Sequence, residues 1–118
     1  MDILATDHYP MPKEPAHEWR RTALKGEDAV QGLQALWAIP QCYGLNDYYH
    51  LDRAEMTEAE IRLETYLAIV HGARGVVWWA CSECKRDHLG NWQATKRLAG
   101  ELSRLSPIFL DKDSPQVV

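Results

Sequence analysis

Residues 57–80 read TEAEIRLETYLAIVHGARGVVWWA. The opening Thr57-Glu58-Ala59-Glu60 is a capping-box pattern. The Thr57 hydroxyl is spaced to accept from the backbone N–H of Glu60, and the Glu60 carboxylate to reach back to the N–H of Thr57. Met56 and Ile61 have the spacing of a hydrophobic staple across the same turn. Ile61, Tyr66, Leu67 and Val70 then recur at helical spacing, and Gly72 is the residue type that most easily takes the left-handed conformation ending a helix. The spacing predicts a helix from about Glu58 to His71. It runs straight into Gly75 to Ala80, which is apolar at successive positions, as expected of a strand covered by layers on both faces.

The same alternation recurs on either side. Ile3 to Thr6 is a short β-capable run that ends in Asp7-His8-Tyr9 and then Pro10, and proline lacks the backbone donor that a central strand needs. Prolines and charges from Met11 to Gly26 predict irregular structure with a helical turn around His17 to Thr22, and Glu27 to Gln34 reads as a short helix. Leu36-Trp37-Ala38-Ile39 is a second apolar run of strand length, bounded by Pro40 and opening into Gln41, Cys42, Tyr43 and Gly44. Near the C-terminus, Asn91 is placed to cap a helix reaching about Leu105, with Ala94, Leu98, Leu102 and Leu105 on one face and Pro107 ending it. Strand followed by helix thus occurs three times, which predicts an α/β fold of parallel strands joined by helical crossovers. In such sheets the chemistry sits beyond the C-terminal ends of the strands. Here those ends are Asp7-His8-Tyr9, Gln41-Cys42-Tyr43 and Trp79 to Glu83, all polar and aromatic.

The composition narrows the classes of partner. A chain of 118 residues with 46% hydrophobic and 25% charged residues has the make-up of one globular domain. Its formal net charge of -4 includes no basic block that would neutralise phosphates, so nucleic acid is not expected as a partner. No apolar run approaches the roughly 20 residues needed to span a bilayer, and the N-terminus has neither the basic region nor the apolar core of a secretory signal. A membrane partner is therefore not expected, and the sequence assigns no compartment beyond a preference for a reducing one, since three cysteines cannot close a disulfide framework. Five tryptophans against one phenylalanine stand out, because the amphipathic indole suits binding surfaces as well as cores.

ILATDHYP (residues 3–10), LWAIPQCYG (residues 36–44), the 57–80 segment and the closing helix together resemble the sixth, seventh and eighth βα units of a (β/α)8-barrel glycoside hydrolase, of the broad clan that includes β-galactosidases and cellulases. The resemblance covers nearly the whole chain. Its most specific part is the acidic-capped helix leading through His71-Gly72-Ala73 and Gly75 into a strand carrying Trp78-Trp79. It implies a partial TIM barrel: residues 1–110 as the C-terminal portion of the catalytic domain, and residues 111–118 as an exit segment toward a β-sandwich domain. A full barrel needs roughly 250 residues, so the expectation is a glycosidase fragment, inactive as the isolated chain. Cut strands would leave unpaired edges and an exposed apolar interior, which predicts poor independent stability or self-association.

Glycosidases use two carboxyl groups that flank the scissile bond. The resemblance implies an acid at the end of the fourth strand, which this chain lacks, and a nucleophilic Glu at the end of the seventh, where Gln41 stands, a neutral amide that cannot attack. Asp7 and Glu83, each just past a strand, are the candidate catalytic carboxylates; an Asp at a strand end also makes Asx turns, and a loop Glu is commonly only solvated. Trp79 is the candidate platform for a pyranose ring, and alternation along a strand sends Trp78 to the opposite face. His8, Tyr9, Gln41 and Tyr43 complete the candidate carbohydrate-binding set. No cofactor and no metal are implied. Two alternatives follow from the same residues: a non-catalytic carbohydrate-binding barrel, and a small zinc module on Cys42, Cys81, Cys84 and His88, although a structural zinc site wants four ligands and usually a second closely spaced pair.

Overall fold

Strands β1 (Ile3–Asp7), β2 (Ala35–Ile39) and β3 (Ala73–Val76) lie side by side in chain order in one parallel sheet. Each is followed by a helix: α1 (Trp19–Val30, entered through a 3-10 turn at Ala16–Glu18), α2 (Glu58–Val70) and α3 (Leu89–Phe109). The computed structural model describes residues 3–10, 13, 15–30, 35–44, 55–80, 86 and 88–111. The predicted α/β class with three parallel strands holds within these residues. A parallel pair needs a crossover long enough to return to the starting edge, and here helices supply it.

The register explains how the sheet presents two unlike faces. Ala5 pairs with Trp37 and Trp37 with Gly75, whereas Leu4 pairs with Leu36 and Ala38 with Val76. Side chains alternate across a strand, so Leu36, Ala38 and Ala73, all buried, form the face under the helices. There Ala38 and Ala73 join Trp19 and Ala23 of α1 and Ala68 of α2 in one core. Small residues let the helices approach the sheet closely. Gly26 of α1 shows how closely, since a β-carbon there would meet Leu36 Cδ1 at 2.9 Å. A second core of Met56, Ile61, Ala94 and Leu98 lies between α2 and α3, with Tyr66, Trp78 and Leu102 packed against it.

The opposite face is open. Ile3, Trp37 and Val77 are exposed on it, which corrects the expectation of a third strand covered on both sides. The strand runs over Ala73–Val76, starting two residues before the predicted Gly75 and ending before Ala80, and a register irregularity at Leu36/Trp37 sets Arg74 outside the pairing. The Arg74 guanidinium donates to the Phe109 carbonyl at 2.7 Å, satisfying a carbonyl in the last turn of α3 with a positive charge, the favourable sign at a helix C-terminus. Gly75 is a strand glycine for reasons of close approach. Its missing β-carbon would stand 2.7 Å from the Trp37 ring, so the indole lies directly over it.

The helices follow the sequence signals with three corrections. The capping box of α2 forms in full: Glu60 N–H donates to Thr57 Oγ1 at 3.2 Å, and Thr57 N–H donates to Glu60 Oε2 at 2.8 Å. Gly72 follows with φ +89°, as its position predicts. The buried face of α2, however, is Ile61, Glu64, Thr65 and Ala68, and Val70 is 64% exposed. α1 is continuous where two separate pieces were expected, because its stripe through Trp19, Ala23 and Gly26 is buried as one. α3 begins at Leu89 with His88 as N-cap, not at Asn91, and continues past Pro107 to Phe109. A proline removes the N–H that would reach the carbonyl four residues back, and here that carbonyl, Ser103 O, accepts from Ser106 Oγ at 2.9 Å instead.

Candidate functional site

The C-terminal ends of the strands form a continuous rim. Beyond β2 and β3 the parallel ladder goes on: Val77 N–H donates to Ala38 O (2.9 Å), Trp79 N–H to Pro40 O (3.0 Å) and Cys42 N–H to Trp79 O (2.7 Å). Gln41 and Trp79 are thereby bridged in parallel. Asp7, paired with Ile39, ends β1 next to them and is exposed. Tyr9 and Tyr43 meet edge to face, ring centroids 5.5 Å apart and planes at 74°. Asp7, Tyr9, Gln41, Tyr43 and Trp79 thus share one end of the sheet, and the Trp79–Ala80 peptide is cis.

The tryptophan pair divides as strand alternation requires. Trp78 turns inward against the core between α2 and α3 and donates its indole N–H to Thr65 Oγ1 at 3.0 Å. Trp79 is 52% exposed, an indole held at the rim by its own backbone bonds with one side facing solvent. His8 and Tyr9 are half-buried. Gln41 and Tyr43 are buried, Gln41 completely, so their side chains belong to the rim's interior. Glu83, Cys81 and Cys84 lie outside the described residues. Of the proposed zinc set, Cys42 and His88 are described and both are buried, and no group of three metal-binding side chains occurs among the described residues.

Beneath the rim lies a buried polar layer that the sequence reading passed over. Glu64 is 0% exposed, and its Oε2 accepts from Gln41 N–H at 3.2 Å. Its Oε1 is buried with no hydrogen-bond partner among the described residues. Burial pushes the Glu64 carboxyl up to about 9, the Gln41 N–H opposes this, and the like charge of Glu60 adds to it. The group is a neutral carboxylic acid at pH 7 because a charge removed from water, with no cation beside it among the described residues, is costlier than a held proton. From the other side, Asn91 Nδ2 donates to the carbonyls of Cys42 (2.8 Å) and Tyr43 (3.2 Å). One signal could have found Glu64: it is the acidic member of the Ile61, Glu64, Thr65, Ala68 stripe, at the i, i+3, i+4, i+7 spacing of a buried face.

Among the described residues the rim supplies an exposed carboxylate, an exposed indole and two tyrosines in edge-to-face contact, with a neutral acid bonded to the Gln41 N–H. That set can bind a polyol with an apolar ring face. Compared with known protein families, curated proteins and solved structures, the chain has no match.

Proposed function

We propose that this chain is part of a carbohydrate-active (β/α)8 barrel of the glycoside hydrolase type, with the strand-end rim as its sugar-facing surface. The observation that carries the reading is Trp79, half-exposed at the C-terminal end of a parallel sheet and bridged to Gln41. An indole in that position can stack on the apolar face of a pyranose while its N–H reaches a hydroxyl. Asp7, exposed one strand away from Gln41, is the carboxylate available for a hydroxyl or a reacting centre. Hydrolysis needs a second carboxyl group at a fixed distance from the first. Glu64 does not fill that role, since it is fully buried and held neutral. Glu83, the other candidate carboxylate, lies outside the described residues; on this reading the isolated chain is expected to bind sugar without turning it over, and to self-associate through its sheet.

The experiment is titration of the chain with methyl β-glucoside and methyl β-galactoside, read by the indole N–H resonances in nuclear magnetic resonance spectra. The Trp79 signal, identified by its loss in Trp79→Phe, is expected to shift, and Trp79→Ala to weaken binding at least about tenfold, roughly 1.4 kcal/mol of stacking. An unmoved Trp79 signal with both sugars would remove the reading. A second reading, a non-catalytic carbohydrate-binding barrel, is favoured by the neutral amide of Gln41 standing where the clan resemblance implies a nucleophile. The two readings separate on Asp7→Asn assayed on 4-nitrophenyl glycosides in a longer form of the protein that completes the barrel. Loss of turnover supports the enzyme, and absence of turnover before substitution supports the binding barrel.

A further inference from the structure

The segment Pro40-Gln41-Cys42-Tyr43-Gly44 is buried at every position, yet it contains no regular element beyond the single bridge to Trp79. A short irregular segment needs partners for its backbone groups when water is excluded. Besides the Trp79 backbone, side chains of two helices supply such partners. On the α2 side, Glu64 Oε2 accepts from Gln41 N–H at 3.2 Å. On the α3 side, Asn91 Nδ2 donates to both the Cys42 and the Tyr43 carbonyls, at 2.8 and 3.2 Å. Each of the two side chains is fully buried, and each keeps one oxygen, Glu64 Oε1 and Asn91 Oδ1, without a partner among the described residues. Burying a polar side chain that leaves an oxygen unsatisfied costs stability, and an apolar residue of the same size would avoid that cost. A positioning function accounts for the cost.

We propose that Glu64 and Asn91 are positioning residues that hold the 40–44 segment from α2 and α3 and thereby set the Trp79 indole and the Tyr9–Tyr43 pair at the sheet rim. The chain of contacts is short. Gln41 is bridged to Trp79, Cys42 N–H donates to Trp79 O at 2.7 Å, and Trp79 N–H donates to Pro40 O at 3.0 Å, so fixing residues 40–42 fixes the Trp79 backbone. Tyr43, whose carbonyl Asn91 holds, carries the ring that meets Tyr9. The proton on Glu64 belongs to the same device. Among the described residues the charged group acting on Glu64 is Glu60 on its own helix, which favours the neutral form, and at the neighbouring strand end the neutral backbone N–H of Gln41 donates to it. Losing that proton would leave a buried charge beside a single N–H.

The inference rests on the rim being the sugar-facing surface, but its test uses no sugar. Backbone amide exchange is followed in the wild-type chain, Glu64→Gln and Glu64→Leu. Glu64→Leu is expected to lower protection of the Gln41, Cys42 and Trp79 amides together by about 30-fold or more, while Glu64→Gln, which keeps a neutral acceptor, stays within about threefold of wild type. Unchanged Cys42 and Trp79 protection in Glu64→Leu, or a Glu64→Gln variant as labile as Glu64→Leu, overturns the clamp. If Glu64→Leu does not fold, the decision falls to the Gln41 amide shift against pH. A single step well above the ordinary glutamate range that vanishes in Glu64→Gln supports the clamp, and a flat wild-type profile overturns it. Exchange results as expected, with no sugar-induced shift at Trp79, would sink the carbohydrate reading and leave the clamp standing.

Discussion

Glu64 ties the stability of this protein to pH in a direction opposite to that of most carboxylates. Its folded-state pKa stands at about 9 against an ordinary value of 4.5, chiefly through burial. Between those limits the unfolded chain has released a proton that the folded chain retains, so stability is full below the ordinary value and is lost as pH rises. The expected slope is about 1.4 kcal/mol per pH unit, levelling off above the folded pKa. Glu101 works the other way. The Arg62 guanidinium and the Tyr66 hydroxyl hold its carboxyl down to about 2, so its stabilisation is present above the ordinary range and disappears as pH falls toward that value. Urea midpoints measured across pH should pass through a maximum near the ordinary glutamate pKa, and Glu64→Gln should flatten the alkaline limb. A second residue-scale prediction concerns Gly44, where a β-carbon would stand 2.0 Å from His88 Nε2. Gly44→Ala should cost about 1–3 kcal/mol by overpacking, and His88→Ala in the same chain should recover part of it, which a double-mutant cycle in urea would measure. Neither effect was legible in the sequence. Nothing local announces that a loop glycine faces an imidazole 44 positions downstream, and the helical spacing that places Glu64 on the buried stripe says nothing of the proton it holds there.

At the scale of elements, the best-determined piece is α2. Both arms of its capping box form, and Glu60 Oε2 also accepts from the Thr57 hydroxyl at 2.9 Å. Thr57→Ala should therefore lower stability by about 1 kcal/mol, read from the urea midpoint at unchanged slope, with Thr57→Ser keeping most of it. α2 and α3 are tied on their outer faces by the Arg62–Glu101 fork (2.6 and 2.8 Å), to which Tyr66 donates its hydroxyl, and by Arg97–Glu58 (2.6 Å). The exposed Arg97–Glu58 pair adds little stability by itself, whereas the Arg62–Glu101 fork is part-buried and bidentate. The cap was readable because its four residues are contiguous and interact only with one another. The buried face of α2 was misread because hydrophobicity alone selected Val70, 64% exposed, while the core accepted Glu64 and Thr65. In α3 the proline rule failed for a local reason, as Ser106 replaces the missing donor at Ser103 O. Gly26, a residue that usually weakens a helix, sits inside α1 because Leu36 leaves no room for a β-carbon.

The described residues form a one-sided sheet. Helices cover one face, Ile3, Trp37 and Val77 are exposed on the other, and among the described residues β1 and β3 each have an unpaired side. Uncovered apolar faces and open strand edges both favour association. Sedimentation of the chain should accordingly show concentration-dependent self-association. Ile3→Lys together with Val77→Lys should shift it toward monomer with little loss of helix signal in circular dichroism. A concentration-independent monomer in the wild type would sink the expectation.

By itself the sequence determined the βα order, the parallel class, the α2 cap and the division of Trp78 from Trp79. Each follows from periodicity, or from contacts between residues close along the chain. Only the tertiary structure decided that Gln41 is buried at the end of its strand, that Glu64 and Asn91 hold the segment around it, that Arg74 leaves the β3 ladder to cap α3, and that one sheet face stays open. Those outcomes depend on which distant backbone groups need partners once water is excluded, and that demand has no local signature in the chain.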